Sequence, residues 1–222
     1  MPNRAEPNRP ERNVVIVIDD DASVRESLAD LLGSLGIETL LFESVADFLE
    51  AQLPDASACL ILDIRMPGMS GLELQSELSR HGRDLPIIFI TGHGDVRTSV
   101  RAMKAGAIEF LTKPFHDQDL LEAIHAGLKK SEAHRRKKAA DQEIQRRYKS
   151  LNAREREVMA LVVSGHLNKQ IAGKLAISEI TVKVNRAQVM RKMQAASLPM
   201  LVRLADQLES AALRTDASAP GE

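Results

Sequence analysis

Residues 60–71 read LILDIRMPGMSG. An apolar run, Leu60 to Leu62, ends at a lone Asp63, and Pro67, Gly68 and Gly71 then turn the chain at once. Aspartate is a good turn residue, so position alone assigns Asp63 nothing beyond closing a strand. A chemical role for it depends on partners elsewhere in the chain.

Outward from this stretch, strand and helix patterns alternate. VVIVI (14–18) and LPIIFITG (85–92) are continuous apolar runs, as expected of strands buried on both faces. IETLLF (37–42), CLILD (59–63) and AIEFLTKPF (107–115) complete five strand patterns. Between them lie ASVRESLADLLGSLG, SVADFLEAQL opened by a capping Ser44, SGLELQSELSRHG and GDVRTSVRAMKAG, each with helical spacing. A further helix starts near Asp117. Five such units predict a doubly wound parallel sheet with helices on both faces. Chemistry in such sheets gathers beyond the carboxyl ends of the strands, where Asp63 falls.

Other strand ends supply its partners. The first ends in Asp19-Asp20-Asp21, the fourth in Thr91 and the fifth in Lys113-Pro114. Side by side, these put two or three carboxylates, a hydroxyl and an ammonium on one edge. Clustered carboxylates call for a cation, and hard oxygen ligands with room for water suit Mg²⁺. A phosphoryl group on Asp63 needs the same set: a metal, a hydroxyl donor and a cation. A lone loop histidine, His93, reads as a surface residue rather than a metal ligand.

The motifs VIDDDASVRESL, LDIRMPGMSGLEL and ITGHGDVRTSVRAMKAGAIEFLTKPF resemble the receiver domain of bacterial two-component response regulators over about residues 13–130. The 22-residue spacing of Thr91 and Lys113 matches as well. The resemblance implies a flavodoxin-like, five-stranded parallel sheet of order 2-1-3-4-5. It implies that Asp63 is the phosphoryl acceptor. Asp19, Asp20, Asp63 and the backbone carbonyl of Arg65 would hold Mg²⁺, with Asp21 open as a sharer of that role. Thr91 and Lys113 would contact the phosphoryl group, a cis peptide before Pro114 would aim the lysine, and Phe110 would be the switch aromatic. Such a domain catalyses only its own phosphorylation and dephosphorylation, so the chain is not expected to be an enzyme in the wider sense. A hydrolase acting on small molecules would want an acid two residues past Asp63, where Arg65 stands.

Composition bounds the remainder. The 222 residues are 44% hydrophobic and 27% charged, ordinary for a globular protein. Aromatics are 3% with no Trp, which argues against stacking on bases or sugars, and the single Cys59 cannot form an intrachain disulfide. No apolar run reaches membrane-spanning length, and the polar, Pro-rich residues 1–12 lack a signal peptide's apolar core. These residues read as a disordered leader of a cytoplasmic protein with no membrane partner. The net charge of −1 hides an asymmetry: residues 131–222 carry 17 basic and 10 acidic residues, the rest 13 and 21. Acidic and basic halves point to different partners.

Residues 131–149 read as a helical linker continuing the last helix of the first domain, largely charged, with Ile144, Tyr148 and Leu151 as sparse seam positions for a coiled coil. A second domain spans 150–210, and 211–222 read as a disordered tail. Asn152 and Glu155 form a capping-box variant. NKQIAGKLA and ITVKVNRAQVMRKM, joined by a short turn, read as helix-turn-helix. Ile171, Ala172, Leu175, Ile180, Val182, Val189 and Met193 are the expected core. LNAREREVMALVVSGHLNKQIAGKLAISEITVKVNRAQVMRKM resembles the LuxR/NarL-type DNA-binding domain. That resemblance places Lys183 and Val184 at base edges and Lys169, Thr181 and Arg186 at phosphates, with Gln188 and Lys192 also in the interface. Asn185 and Ala187 depart from the family's usual residues.

The order of the two domains resembles FixJ/NarL-class regulators. It implies a transcription factor activated by phosphotransfer from a histidine kinase to Asp63. The activated homodimer would bind double-stranded promoter DNA and act on RNA polymerase. One alternative is a phosphorylation-independent regulator that uses the receiver-like domain for dimerisation. Another is a ligand-sensing LuxR protein, which would want an aromatic-lined pocket that a Trp-free chain does not favour.

Overall fold

The computed structural model describes residues 12–92 and 95–216, with side chains described through Ser210. The leader residues 1–11, the loop residues 93–94, His93 among them, and the tail residues 217–222 lie outside the described residues. The chain divides after Arg135 into two compact units.

In the first unit, strands β1 (Asn13–Ile18), β2 (Glu38–Phe42), β3 (Ser57–Asp63), β4 (Ile87–Thr91) and β5 (Glu109–Thr112) alternate with helices α1 (Ala22–Ser34), α2 (Val45–Glu50), α3 (Gly71–Arg80) and α4 (Val96–Lys104). Among the described residues they form one parallel sheet of order β2-β1-β3-β4-β5. The order places β1 and β3 at the centre, so both are buried on two faces and read as unbroken apolar runs. Side chains alternate across the pleat. Val14, Ile16, Ile18, Leu60 and Leu62 pack with α2, α3 and α4 residues such as Phe48, Leu74 and Ala102. Val15, Val17, Cys59 and Ile61 pack on the other face with Leu28 and Leu32 of α1 and with Leu120, Ile124 and Leu128. The last three belong to α5 (Asp117–Lys149).

Two edges differ from the sequence reading. Strand β5 is shorter than 107–115, because the Ala107 N–H closes the end of α4 by donating to the Ala102 carbonyl. Arg12, assigned above to the leader, is engaged: its side chain pairs with Glu38 and its carbonyl accepts the Ser57 N–H.

The second unit holds α6 (Ala153–Val163), α7 (Asn168–Leu175), α8 (Glu179–Lys192) and α9 (Leu198–Asp216). Helix α9 therefore runs six residues past the tail boundary expected at 210. Val158, Met159, Val162, Ile171, Val182, Val189, Met193 and Leu201 form its core. The seam positions Ile144, Tyr148 and Leu151 pack into this same core. Ile180 corrects the expected core: it is 74% exposed. At 100° per residue it lies on the side of α8 opposite Val182, Val189 and Met193.

Gly127 of α5 lies against Cys59 of β3, and a Cβ there would sit 2.4 Å from the Cys59 sulfur. Gly127→Ala is expected to destabilise the first unit by about 1–3 kcal/mol, the usual range for overpacking. In a Cys59→Ala background the same change is expected to cost measurably less, because the opposing sulfur is gone. Urea denaturation of the four chains of this cycle checks both statements; equal costs in both backgrounds would refute the contact.

Candidate functional site

Parallel pairing of Ile18 with Leu62 leaves the next residues, Asp19 and Asp63, side by side at the carboxyl edge of the sheet. Asp19 is fully buried and Asp63 nearly so, while Asp20 is exposed. One carboxylate oxygen from each of the three lies within 4.8 Å of the others. The Lys113 ammonium reaches in from beyond β5, 2.7 Å from Asp19 Oδ2 and 3.1 Å from Asp63 Oδ2. Its backbone N–H donates to the Thr91 carbonyl at 2.8 Å, and the Lys113–Pro114 peptide is cis.

The other lone pairs of the two buried acids are also used. Asp63 Oδ1 accepts the Arg65 N–H at 3.0 Å, and Asp19 Oδ1 accepts the Asp21 N–H at 3.0 Å. Arg25 of α1, which the sequence did not single out, donates to the Asp19 carbonyl at 2.7 Å. Asp21 is the N-cap of α1, its carboxylate taking the Ser23 N–H and hydroxyl, and it stands outside the acidic trio. Gly71 opens α3 tightly against this loop: a Cβ there would lie 2.4 Å from the Asp63 carbonyl.

Burial pushes the Asp19 carboxyl above its ordinary range, and the Lys113 hydrogen bond only partly reverses that. Burial pulls the Lys113 ammonium down, and Asp19 and Asp63 together more than offset it, leaving it above the usual lysine value. Three carboxylates against one ammonium leave an excess of negative charge on an all-oxygen donor set. Those donors fit a hard divalent cation such as Mg²⁺. Thr91, 1% exposed, ends β4 beside this edge. Phe110 is half-buried on β5 with its ring tilted against Phe89, centroids 6.5 Å apart.

In the second unit α7 ends at Ala176 in the left-handed region, and Ser178 caps α8 by accepting the Thr181 N–H at 3.0 Å. Of the interface residues expected from sequence, Lys169, Thr181, Lys183 and Val184 are exposed. Arg186 is half-buried and donates to Asn168 Oδ1 at 3.2 Å. Gln188 Oε1 accepts from Arg191 at 2.6 Å. Lys192 is directed elsewhere: its ammonium lies 2.6 Å from Glu155, a buried carboxylate, and 3.2 Å from the Ser150 carbonyl. The outward stripe of α8 is Ile180, Val184, Ala187 and Arg191, all exposed. Ile180, expected in the core, lies on this outward stripe, although the 100° step along the helix contains that information.

An acidic strand-end cluster bridged by a lysine, followed by a helix-turn-helix unit, defines a two-domain regulator. The comparisons with known proteins agree. Residues 15–125 match the response regulator receiver domain, and residues 149–205 match the luxR family of bacterial regulatory proteins. The chain belongs to the response regulators that join a receiver to a LuxR-type DNA-binding domain, and it is a transcription factor of that class. It is 45% identical to Nodulation protein W of Bradyrhizobium diazoefficiens, over 91% of this chain and 89% of that one. It is 50% identical to the transcriptional regulatory protein FixJ of Azorhizobium caulinodans, over 88% and 93%. Among solved structures, the response regulator StyR aligns with a TM-score of 0.80 at 48% identity, covering 88% of this chain and 99% of that one. No helix among the described residues is long and apolar enough to cross a membrane.

The Glu155–Lys192 pair generates a prediction. Burial raises the Glu155 carboxyl, but the Lys192 hydrogen bond and the Asn152 N–H more than reverse this, leaving it below its usual value. A depressed carboxylate stabilises the fold above its unfolded value of about 4.3, and loses that contribution as pH falls through the folded value. Lys192→Ala is expected to cost about 2 kcal/mol at neutral pH, the scale of a hydrogen bond to a charged group. The deficit should shrink as pH falls below about 4. Chemical denaturation of the wild type and variant at pH 7 and pH 3.5 checks it.

Proposed function

We propose that this regulator is switched by phosphotransfer from a cognate histidine kinase to Asp63. The observation that carries this reading is the Lys113 ammonium bridging Asp19 and Asp63 within a trio of carboxylates. A carboxylate oxygen of Asp63 attacks the phosphorus of a phosphohistidine; the P–O bond forms, the P–N bond breaks, and the imidazole leaves with a proton. Lys113 is already oriented toward the site and pairs with the incoming negative charge. The Thr91 hydroxyl donates to a phosphoryl oxygen. Asp19, Asp20, Asp63 and the Arg65 carbonyl would hold Mg²⁺, which when bound neutralises charge on the phosphoryl oxygens. Phe110, with only a half-buried ring to hold it, is the residue that rotates between states.

Phosphorylation favours a homodimer, and the paired C-terminal units bind double-stranded promoter DNA through α8, acting on RNA polymerase. Lys183 and Val184 address base edges, Lys169, Thr181 and Arg186 phosphates, and Gln188 lines the same face. Lys192 is left out of this set because Glu155 engages it. Ile180 and Arg191 join it on the exposed stripe.

Asp63→Asn is expected to abolish phosphoryl incorporation from acetyl phosphate and Mg²⁺, read by intact mass, while leaving the urea midpoint nearly unchanged. Incorporation at wild-type level would reject the acceptor assignment. An Asp63→Asn chain that dimerises and binds DNA as the phosphorylated wild type does would favour a phosphorylation-independent regulator instead.

Lys183→Ala is expected to weaken binding to a fragment selected by the wild type from random duplexes by about tenfold, the loss of one specific contact of roughly 1–3 kcal/mol. Unchanged affinity in a mobility-shift titration would reject this register of α8.

A further inference from the structure

Away from both sites, one cavity of the first unit joins an apolar wall to positive charge. It lies beside the N-terminal end of β4, at the sheet edge opposite Asp63, and has a volume of about 280 Å³. Leu78 of α3, Leu85 ahead of β4 and Ala105 at the end of α4 line it, and Arg83 and Lys130 contribute cationic side chains beside His134.

Two helix ends make the walls, and both are closed in the same way. After α3, the Gly82 N–H donates to the Ser79 carbonyl at 3.1 Å and the Arg83 N–H to the Leu78 carbonyl at 2.9 Å. After α4, the Gly106 N–H donates to the Met103 carbonyl at 3.0 Å and the Ala107 N–H to the Ala102 carbonyl at 3.2 Å. These paired bonds satisfy the last carbonyls of each helix and fix the chain that follows. Gln75, buried between the helices, donates its amide to the Ala102 carbonyl at 3.2 Å. These closures fix the backbone of both walls.

Its charge is unbalanced. Asp84 is the one acid among its lining residues, and it lies 3.4 Å from His134. Arg83 and Lys130 have no acidic partner among the described residues. A volume at the small end of ligand pockets, with a half-apolar lining and two free cations, selects a small anion that also has an apolar body. A planar carboxylate matches the guanidinium of Arg83 in two parallel hydrogen bonds, with Lys130 as a point charge beside it. A bare inorganic anion would leave Leu78, Leu85 and Ala105 uncovered.

The geometry points to a binding site for a small organic carboxylate, its head on Arg83 and Lys130 and its apolar body against Leu78, Leu85 and Ala105. Benzoate titrated into the ¹⁵N-labelled full chain tests it, with neutral benzamide and inorganic phosphate as comparators. Saturable shifts are expected at the amides of Arg83, Gly106 and Lys130, with benzamide at least tenfold weaker. The Arg83→Ala, Lys130→Ala double variant, changed only at exposed side chains, is expected to keep its thermal midpoint and raise the benzoate midpoint at least tenfold. The proposal is overturned by an absence of saturable shifts at those amides, or by equal binding of benzamide. Unchanged affinity in the double variant, or displacement of benzoate by an equal concentration of phosphate, also overturns it.

Discussion

The Lys113 ammonium between Asp19 and Asp63 is the constraint on which the first unit turns. Two acids withdrawn from water at adjacent strand ends repel each other, and the sheet can bring them together only if a cation joins them. The lysine supplies that cation from just past β5, two places from β3 and three from β1 in the sheet, so its two contacts tie the ends of all three strands. It compensates one charge of three. The excess that remains sits on an all-oxygen donor set, which fits a hard divalent cation.

A second charge pair does comparable work in the C-terminal unit and has a different character. Glu155 begins as a capping residue, its carboxylate accepting the Asn152 N–H at 2.8 Å in reciprocal exchange. Lys192, at the far end of α8, reaches the same carboxylate and the Ser150 carbonyl. The start of α6 and the end of α8 are thereby joined, fixing the angle at which the outer face of α8 is presented. A cation that composition counts toward nucleic-acid binding is spent internally, and the exposed stripe is correspondingly more apolar, with Ile180, Val184 and Ala187 beside Arg191.

Much of this was legible in the chain itself. Central strands buried on two faces must be continuous apolar runs, so VVIVI and CLILD announce themselves, and the acids that end them are conspicuous for the same reason. The edge strand β5 is half-exposed and short, so no unbroken apolar run marks its limits in the sequence. Ile180 resembles core in the sequence, since a hydrophobic residue near a helix start does so until its angle around the axis is worked out. Asp21 was ambiguous for a related reason: three successive acids look alike in sequence, while only their backbone geometry separates a helix cap from a charge cluster.

The sequence by itself determined the element order, the parallel sheet, the two-domain plan and the identity of the acidic edge. Those follow from local periodicity and from residues that close their own strands. Only the tertiary structure decided which partner each charge takes. Lys113 and Asp19 are 94 residues apart, and Lys192 and Glu155 are 37 apart. Electrostatic pairing depends on distance in space and on loss of water, and neither quantity is written in the spacing of residues along the chain.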